Sequence, residues 1–111
     1  MVKPVSRPYS QYSLNALALL GQLVREARLV KAMTAADLAA RAGISRALLA
    51  RIEGGDPGCS IGVVFEVAAI CGVPLFDQEH RQLAAQLATH RESALLPKAV
   101  RTRVQGVKDD F

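Results

Sequence analysis

The chain has 111 residues, half of them apolar and only 5% aromatic, with a net charge of +4. That excludes two full domains and a chain too polar to fold, and it leaves one modest core of Leu, Ile, Val and Ala. Two cysteines, Cys59 and Cys71, exclude a disulfide framework, and the longest early apolar run, 14–20, is short and interrupted by Asn15. A reducing cytoplasm is therefore the expected location, with no membrane association.

Segment 1–12 holds Pro4 and Pro8 and no apolar period, so it reads as a flexible arm. Its Lys3 and Arg7 could enter a minor groove, or the arm could be an unordered extension. Ser13 can cap a first helix running to about Val30, in which Leu17, Leu20, Val24 and Ala27 recur at spacings of three and four. Thr34 is a second N-cap, with Asp37 standing three positions later where a capping-box acid would be. The short helix that follows turns Leu38 and Ala39 inward and stops at Gly43, a residue free to adopt a left-handed backbone.

Ser45 caps a third helix with Leu49 and Ile52 on its inner edge. The turn-rich break Gly54-Gly55-Asp56-Pro57-Gly58 follows. Ser60 can cap a fourth helix, on which Val64, Val67, Ala68 and Cys71 share a face, and Gly72 stops it. Asp77 can cap a fifth, over about 78–93, with Leu83, Ala84 and Leu87 as its apolar side. The fold class expected is all-α, five helices over 13–96. Beyond Pro97 the texture changes: Val100, Thr102 and Val104 alternate with Arg101 and Arg103. The tail 97–111 is either one edge strand awaiting a partner strand or a solvated end. A partner protein could be anchored there by Val100, Val104, Val107 and Phe111.

The segment 34–53 carries the functional reading. Two short capped helices flank a glycine, and units of this length persist only when packed on their neighbours. Leu38, Ala39, Ile44, Leu49 and Ile52 can supply that packing. Arg46, Ala47, Ala50 and Arg51 are then left on the outer face of the second helix. Such a helix fits a major groove of double-stranded DNA. Arg46, in the first turn, can fork onto guanine O6 and N7; the Ala47 methyl can pack on thymine; Arg51 can reach a base or a phosphate. Ser45 can cap the helix while leaving backbone N–H groups for a phosphate.

Other chemistry is poorly served. Cys71 reads as a small core residue and Cys59 as a turn residue without a partner. His80 and His90 stand about 15 Å apart along one helix and cannot share a metal. Asp109 and Asp110 are adjacent tail carboxylates, not a placed acid–base pair, and the glycine run has no Lys-Ser/Thr after it to make a phosphate loop. Neither a catalytic residue, a metal nor a cofactor is expected.

Several stretches resemble the Xre/Cro-repressor class of helix-turn-helix proteins: Leu20-Gly-Gln-Leu-Val-Arg-Glu-Ala-Arg28, Met33-Thr-Ala-Ala-Asp-Leu-Ala, Ala42-Gly-Ile-Ser-Arg46 and Arg51-Ile-Glu-Gly54. The resemblance covers roughly 14–76. It implies a five-helix domain binding a palindromic operator as a homodimer. It also implies DNA contact by Ser45, Arg46, Ala47 and Arg51, and a pair between Arg28 and Glu53 that joins the first helix to the third. The family very often carries Gln after the Thr at the start of helix two, where it braces a phosphate. Ala35 stands there in this chain, so Thr34, backbone N–H groups or Arg41 must take over positioning. Gly-Asp-Pro-Gly-Cys-Ser-Ile-Gly62 and the ending Leu-Leu-Pro-Lys-Ala-Val-Arg…Asp-Asp-Phe111 resemble HipB-like antitoxins, autorepressors paired with a HipA-like serine/threonine kinase toxin. Two other readings stand beside that one: a free-standing Xre-type regulator without a toxin, and a protein-interaction adaptor that keeps the helical fold without DNA binding.

Overall fold

A computed structural model describes residues 8–95 of the chain. Lys3 and Arg7, the strand expected at 100–104, and Val100, Val104, Val107 and Phe111 lie outside the described residues. Five helices are present: α1 Gln11–Val30, α2 Ala35–Ala42, α3 Arg46–Glu53, α4 Ile61–Cys71 and α5 His80–Ala94. They divide into two compact units, one ending at Val73 and the other beginning at Pro74. No described helix is long and apolar enough to cross a membrane.

In the first unit α1 packs on α3 and α4, and α2 packs on α3 and α4. The core between them is built from Val24, Leu38, Ala39, Leu49, Ile52, Val64, Val67, Ala68, Cys71 and Val73, all buried. All but Val73, which follows the end of α4, are apolar positions that helical periodicity places inward on each element. Leu17, Leu20, Ala27 and Ile44 are half-buried at its margin.

The four helices of this unit end in the same way. The N–H that follows the positive-φ residue reaches back five positions, and that residue's own N–H closes the inner ring. The longer bonds run from Met33 N to Arg28 O, Ile44 N to Ala39 O, Asp56 N to Arg51 O and Val73 N to Ala68 O, at 2.9–3.0 Å. This double closure satisfies the last carbonyls and requires one residue with positive φ. Gly43, Gly55 and Gly72 fill that place at three helices, whereas Ala32, with φ 55°, fills it at the end of α1.

Two helix starts differ from the sequence expectation, and a third keeps its place without a capping bond. Helix α1 begins two residues inside the presumed arm, because Ser10 rather than Ser13 takes the cap: its Oγ accepts the Ser13 N–H at 3.1 Å. Ser60 does occupy the N-cap of α4, but its side chain makes no capping bond. Asp77 does not cap α5. Phe76 and Asp77 both have positive φ (56° and 54°) and form the centre of a tight turn closed by Gln78 N to Leu75 O at 3.0 Å. A residue in that conformation cannot supply the extended backbone of an N-cap, so the role passes to Glu79, at φ −66° and ψ 160°. The expected apolar side of α5 is not a core face either: Leu83 is half-buried, and Ala84 and Leu87 are exposed.

Candidate nucleic-acid interface

The α2–turn–α3 segment is held by local bonds that its sequence prescribes. Thr34 Oγ1 accepts the Asp37 N–H at 3.0 Å, and Asp37 Oδ2 accepts the Thr34 N–H at 3.1 Å, closing the capping box. The shorter Asp therefore reaches as Glu would. These hydrogen bonds hold the Asp37 carboxyl below its ordinary range, the Thr34 backbone N–H first among them. Gly43 turns the chain at φ 70°, and Ser45 Oγ then accepts the Leu48 N–H at 3.0 Å to start α3.

With Leu49 and Ile52 buried, α3 leaves Arg46, Ala47, Ala50 and Arg51 exposed. The cap uses the N–H of Leu48, so the N–H groups of Arg46 and Ala47 at the head of the helix have no intrahelical acceptor and remain for a ligand. Among the described residues Arg46 makes no hydrogen bond or ion pair. Arg51 is different. Its Nε donates to Asp56 Oδ2 at 2.8 Å, while Asp56 Oδ1 accepts the Gly58 N–H at 2.7 Å. The guanidinium stays exposed but is leashed to the turn after α3. Of the substitutes for the missing Gln, Thr34 is exposed with its hydroxyl committed to Asp37, and Arg41 donates to Met33 Sδ at 3.3 Å. Ala35 itself is half-buried.

Behind this face α1 fixes the tilt of α3. Arg28 Nε and Nη2 donate to the two Glu53 oxygens at 2.8 and 3.1 Å, and Nη1 donates to the Met33 carbonyl at 3.1 Å. Both side chains are only 11% exposed. The Glu53 hydrogen bond holds the Arg28 guanidinium above its ordinary pKa against the opposing effect of burial.

Sequence reasoning missed two further contributors. Gly21 lies so close to the end of α3 that an added Cβ would fall 2.5 Å from the Ile52 carbonyl oxygen and 2.6 Å from that of Glu53. Gly55 meets α1 likewise, at 2.8 Å from Ala18 Cα. A glycine inside an otherwise good helical stretch was the available sign at Gly21, since it weakens the helix unless something needs the space.

Cys71 is buried, which pushes its thiol pKa up, and Cys59 is half-buried; both are free thiols. His80 and His90 are exposed. No group of three potential metal ligands occurs among the described residues.

A family model described as a helix-turn-helix domain matches residues 19–81, more than half of the chain. The chain belongs to the helix-turn-helix family. Its five helices, capped hairpin and exposed α3 make it an Xre/Cro-type member, a DNA-binding transcriptional regulator. No curated protein and no solved structure matches the chain. Within this helix-turn-helix unit α3 is the second helix of the motif, the position from which such domains read a groove.

Proposed function

We propose that this protein is an autorepressor that reads a palindromic operator as a homodimer, one α3 per half-site. The observation that carries the reading is the state of Arg46: exposed, in the first turn of α3, and unengaged by the described residues. Arg46 forks onto a guanine edge, Ala47 and Ala50 allow close approach and pack on thymine methyls, and Ser45 with the head of α3 receives a phosphate. Thr34 receives a second phosphate only by giving up its bonds to Asp37. Arg51 reaches DNA once it leaves Asp56.

The homodimer reading is supported by charge. Residues 13–76 carry a net charge of only +1, so one unit neutralises few phosphates and holds DNA weakly. Two units on one duplex gain from the high effective concentration of the second engagement. In this reading the protein works in the cytoplasm by occupying its promoter. It binds and does not catalyse.

The resemblance of 55–62 and of the chain's ending to HipB-like proteins supports a second role, that of antitoxin to a HipA-like kinase. Co-purification of such a kinase from the native host tests that role separately. The DNA reading is tested by titrating upstream promoter DNA and random duplex at several salt concentrations. Arg46→Ala is expected to weaken specific binding by roughly 1–3 kcal/mol and to relax base preference at one position per half-site. Equal affinity of the parent protein for promoter and random duplex would favour the adaptor reading instead.

A further inference from the structure

The outer face of α1 carries a stripe of large apolar side chains that the core does not use. Tyr12 is 85% exposed, Leu19 61%, Leu23 39% and Val30 86%. At about 100° per residue all four fall within roughly 20° of the direction opposite Gly21, whose own side is pressed against the end of α3. Ala16 and Glu26, both exposed, lie on either margin of the stripe.

The spacing has a symmetry of its own. Tyr12 and Val30 stand nine positions either side of Gly21, Leu19 and Leu23 two, and Ala16 and Glu26 five. An isologous contact requires that residue i of one copy meet j of the other while j meets i. A stripe that reads the same from both ends about one residue meets that condition for two antiparallel helices.

We propose that α1 is the homodimer seam: two copies pair antiparallel about a two-fold axis at the level of Gly21. Tyr12 packs on Val30 of the second copy, and Leu19 packs on its Leu23. The inference deepens the dimeric reading above by naming where the copies meet. At the margin, Glu26 comes to the level of Ala16 in the second copy, beside Asn15, and the two Glu26 carboxylates stay about 15 Å apart along the axis. No like charges are forced together. The four side chains expose on the order of 500 Å² per copy, so pairing buries about 1,000 Å², the lower range of a specific interface. An apolar patch of about 500 Å² per copy stands among the largest that a monomer ordinarily leaves to water, and patches of that size are often functional. The alternative seams, the Leu83–Leu87 side of α5 and the tail, become outcomes of the test.

Sedimentation of the full chain is expected to show a concentration-dependent dimer. The double variant Leu19→Glu, Leu23→Glu is expected to sediment as a monomer with unchanged helicity, and its thermal midpoint should lose the concentration dependence that dimerisation gives the parent, because neither side chain belongs to the buried core. Its affinity for a palindromic duplex should fall about tenfold or more while half-site binding persists. A dimer that survives both substitutions, or a parent chain that is monomeric throughout, overturns the seam. Register is read by thiol cross-linking in a Cys59→Ser background. A mixture of Tyr12→Cys and Val30→Cys chains should cross-link with a short bis-maleimide. Tyr12→Cys alone should not, its two thiols lying about 27 Å apart along the axis, and a cross-link there overturns the antiparallel pairing. Failure of the operator reading looks different: the parent chain would dimerise through α1 yet bind promoter and random DNA equally.

Discussion

Arg51 and Asp56 face each other across the turn that ends α3, Nε to Oδ2 at 2.8 Å, both partly exposed to solvent. One of the two guanidinium groups on the outer face of α3 is thus held by a carboxylate of its own chain, and that carboxylate would also repel DNA. Asp56→Asn removes the charge while keeping the acceptor for the Gly58 N–H. Expected is a several-fold tighter binding to any duplex at low salt, with the salt dependence steeper by about one phosphate. Affinity that is unchanged at every salt concentration would show that Arg51 stays away from DNA. Acid has a related effect on the bridge. Arg51 first, and the Gly58 N–H second, hold the Asp56 carboxyl below its ordinary range. A depressed folded-state pKa gives stabilisation that is complete above the ordinary carboxylate range and is lost as pH falls through the folded value. The Asp56 carboxylate therefore stays charged at neutral pH, and protonation in acid removes its hold on Arg51.

The Arg28–Glu53 pair has a larger structural consequence because both side chains are nearly out of water. Glu53→Ala leaves a guanidinium enclosed with only the Met33 carbonyl as acceptor. A loss of roughly 3–5 kcal/mol is expected in urea denaturation. Glu53→Gln, which keeps an acceptor oxygen, should lose less. If Glu53→Ala unfolds at the parent midpoint, the pair contributes nothing to the joint between α1 and α3.

How much of this could be read from the chain depends on the range of each interaction. The hairpin of α2 and α3 was legible because its determinants are local: Thr34 with Asp37, Ser45 with Leu48, and Gly43 between them all act within four positions. Where two local solutions compete, the sequence is silent. Ser10 and Ser13 stand one turn apart and either could cap α1; the structure uses the first and donates the N–H of the second to it. Asp77 is a residue type that tolerates the left-handed region but Phe76 is not, and an Asp also suits an N-cap, so the start of α5 is ambiguous in the sequence. Gly21 and the Arg51–Asp56 bridge depend on where α3 ends in space, which periodicity does not encode. The α1 stripe is masked in the sequence because Leu17, Leu20, Val24 and Ala27 already supply one apolar face on the same helix.

Gly21→Ala sets two local effects against each other. Alanine is the better helix former by about 1 kcal/mol. Its methyl, however, would stand 2.5 and 2.6 Å from the carbonyl oxygens of Ile52 and Glu53, backbone atoms that cannot rotate aside. The end of α3 must shift, and the Glu53 carboxylate shifts with it. A net loss of roughly 1–3 kcal/mol is expected in urea, together with weaker promoter binding. A midpoint at or above that of the parent would mean that α1 and α3 can separate without cost.

Ala32→Gly should act in the other direction. Ala32 holds φ 55° at the end of α1, the place that glycine fills after α2, α3 and α4. For a residue with a Cβ the left-handed region costs roughly 1–2 kcal/mol, and glycine escapes that strain. The exchange also frees the unfolded chain, which returns about 0.4–1 kcal/mol of the gain. Ala32 is exposed, so its methyl contributes little packing. The balance favours a stabilisation of roughly 0.5–1 kcal/mol. The same substitution leaves α3 and its arginines untouched, so promoter affinity at fixed salt should not change. A lower denaturation midpoint for Ala32→Gly would mean that the Ala32 backbone is relaxed by neighbours and that the strain assigned to it is absent.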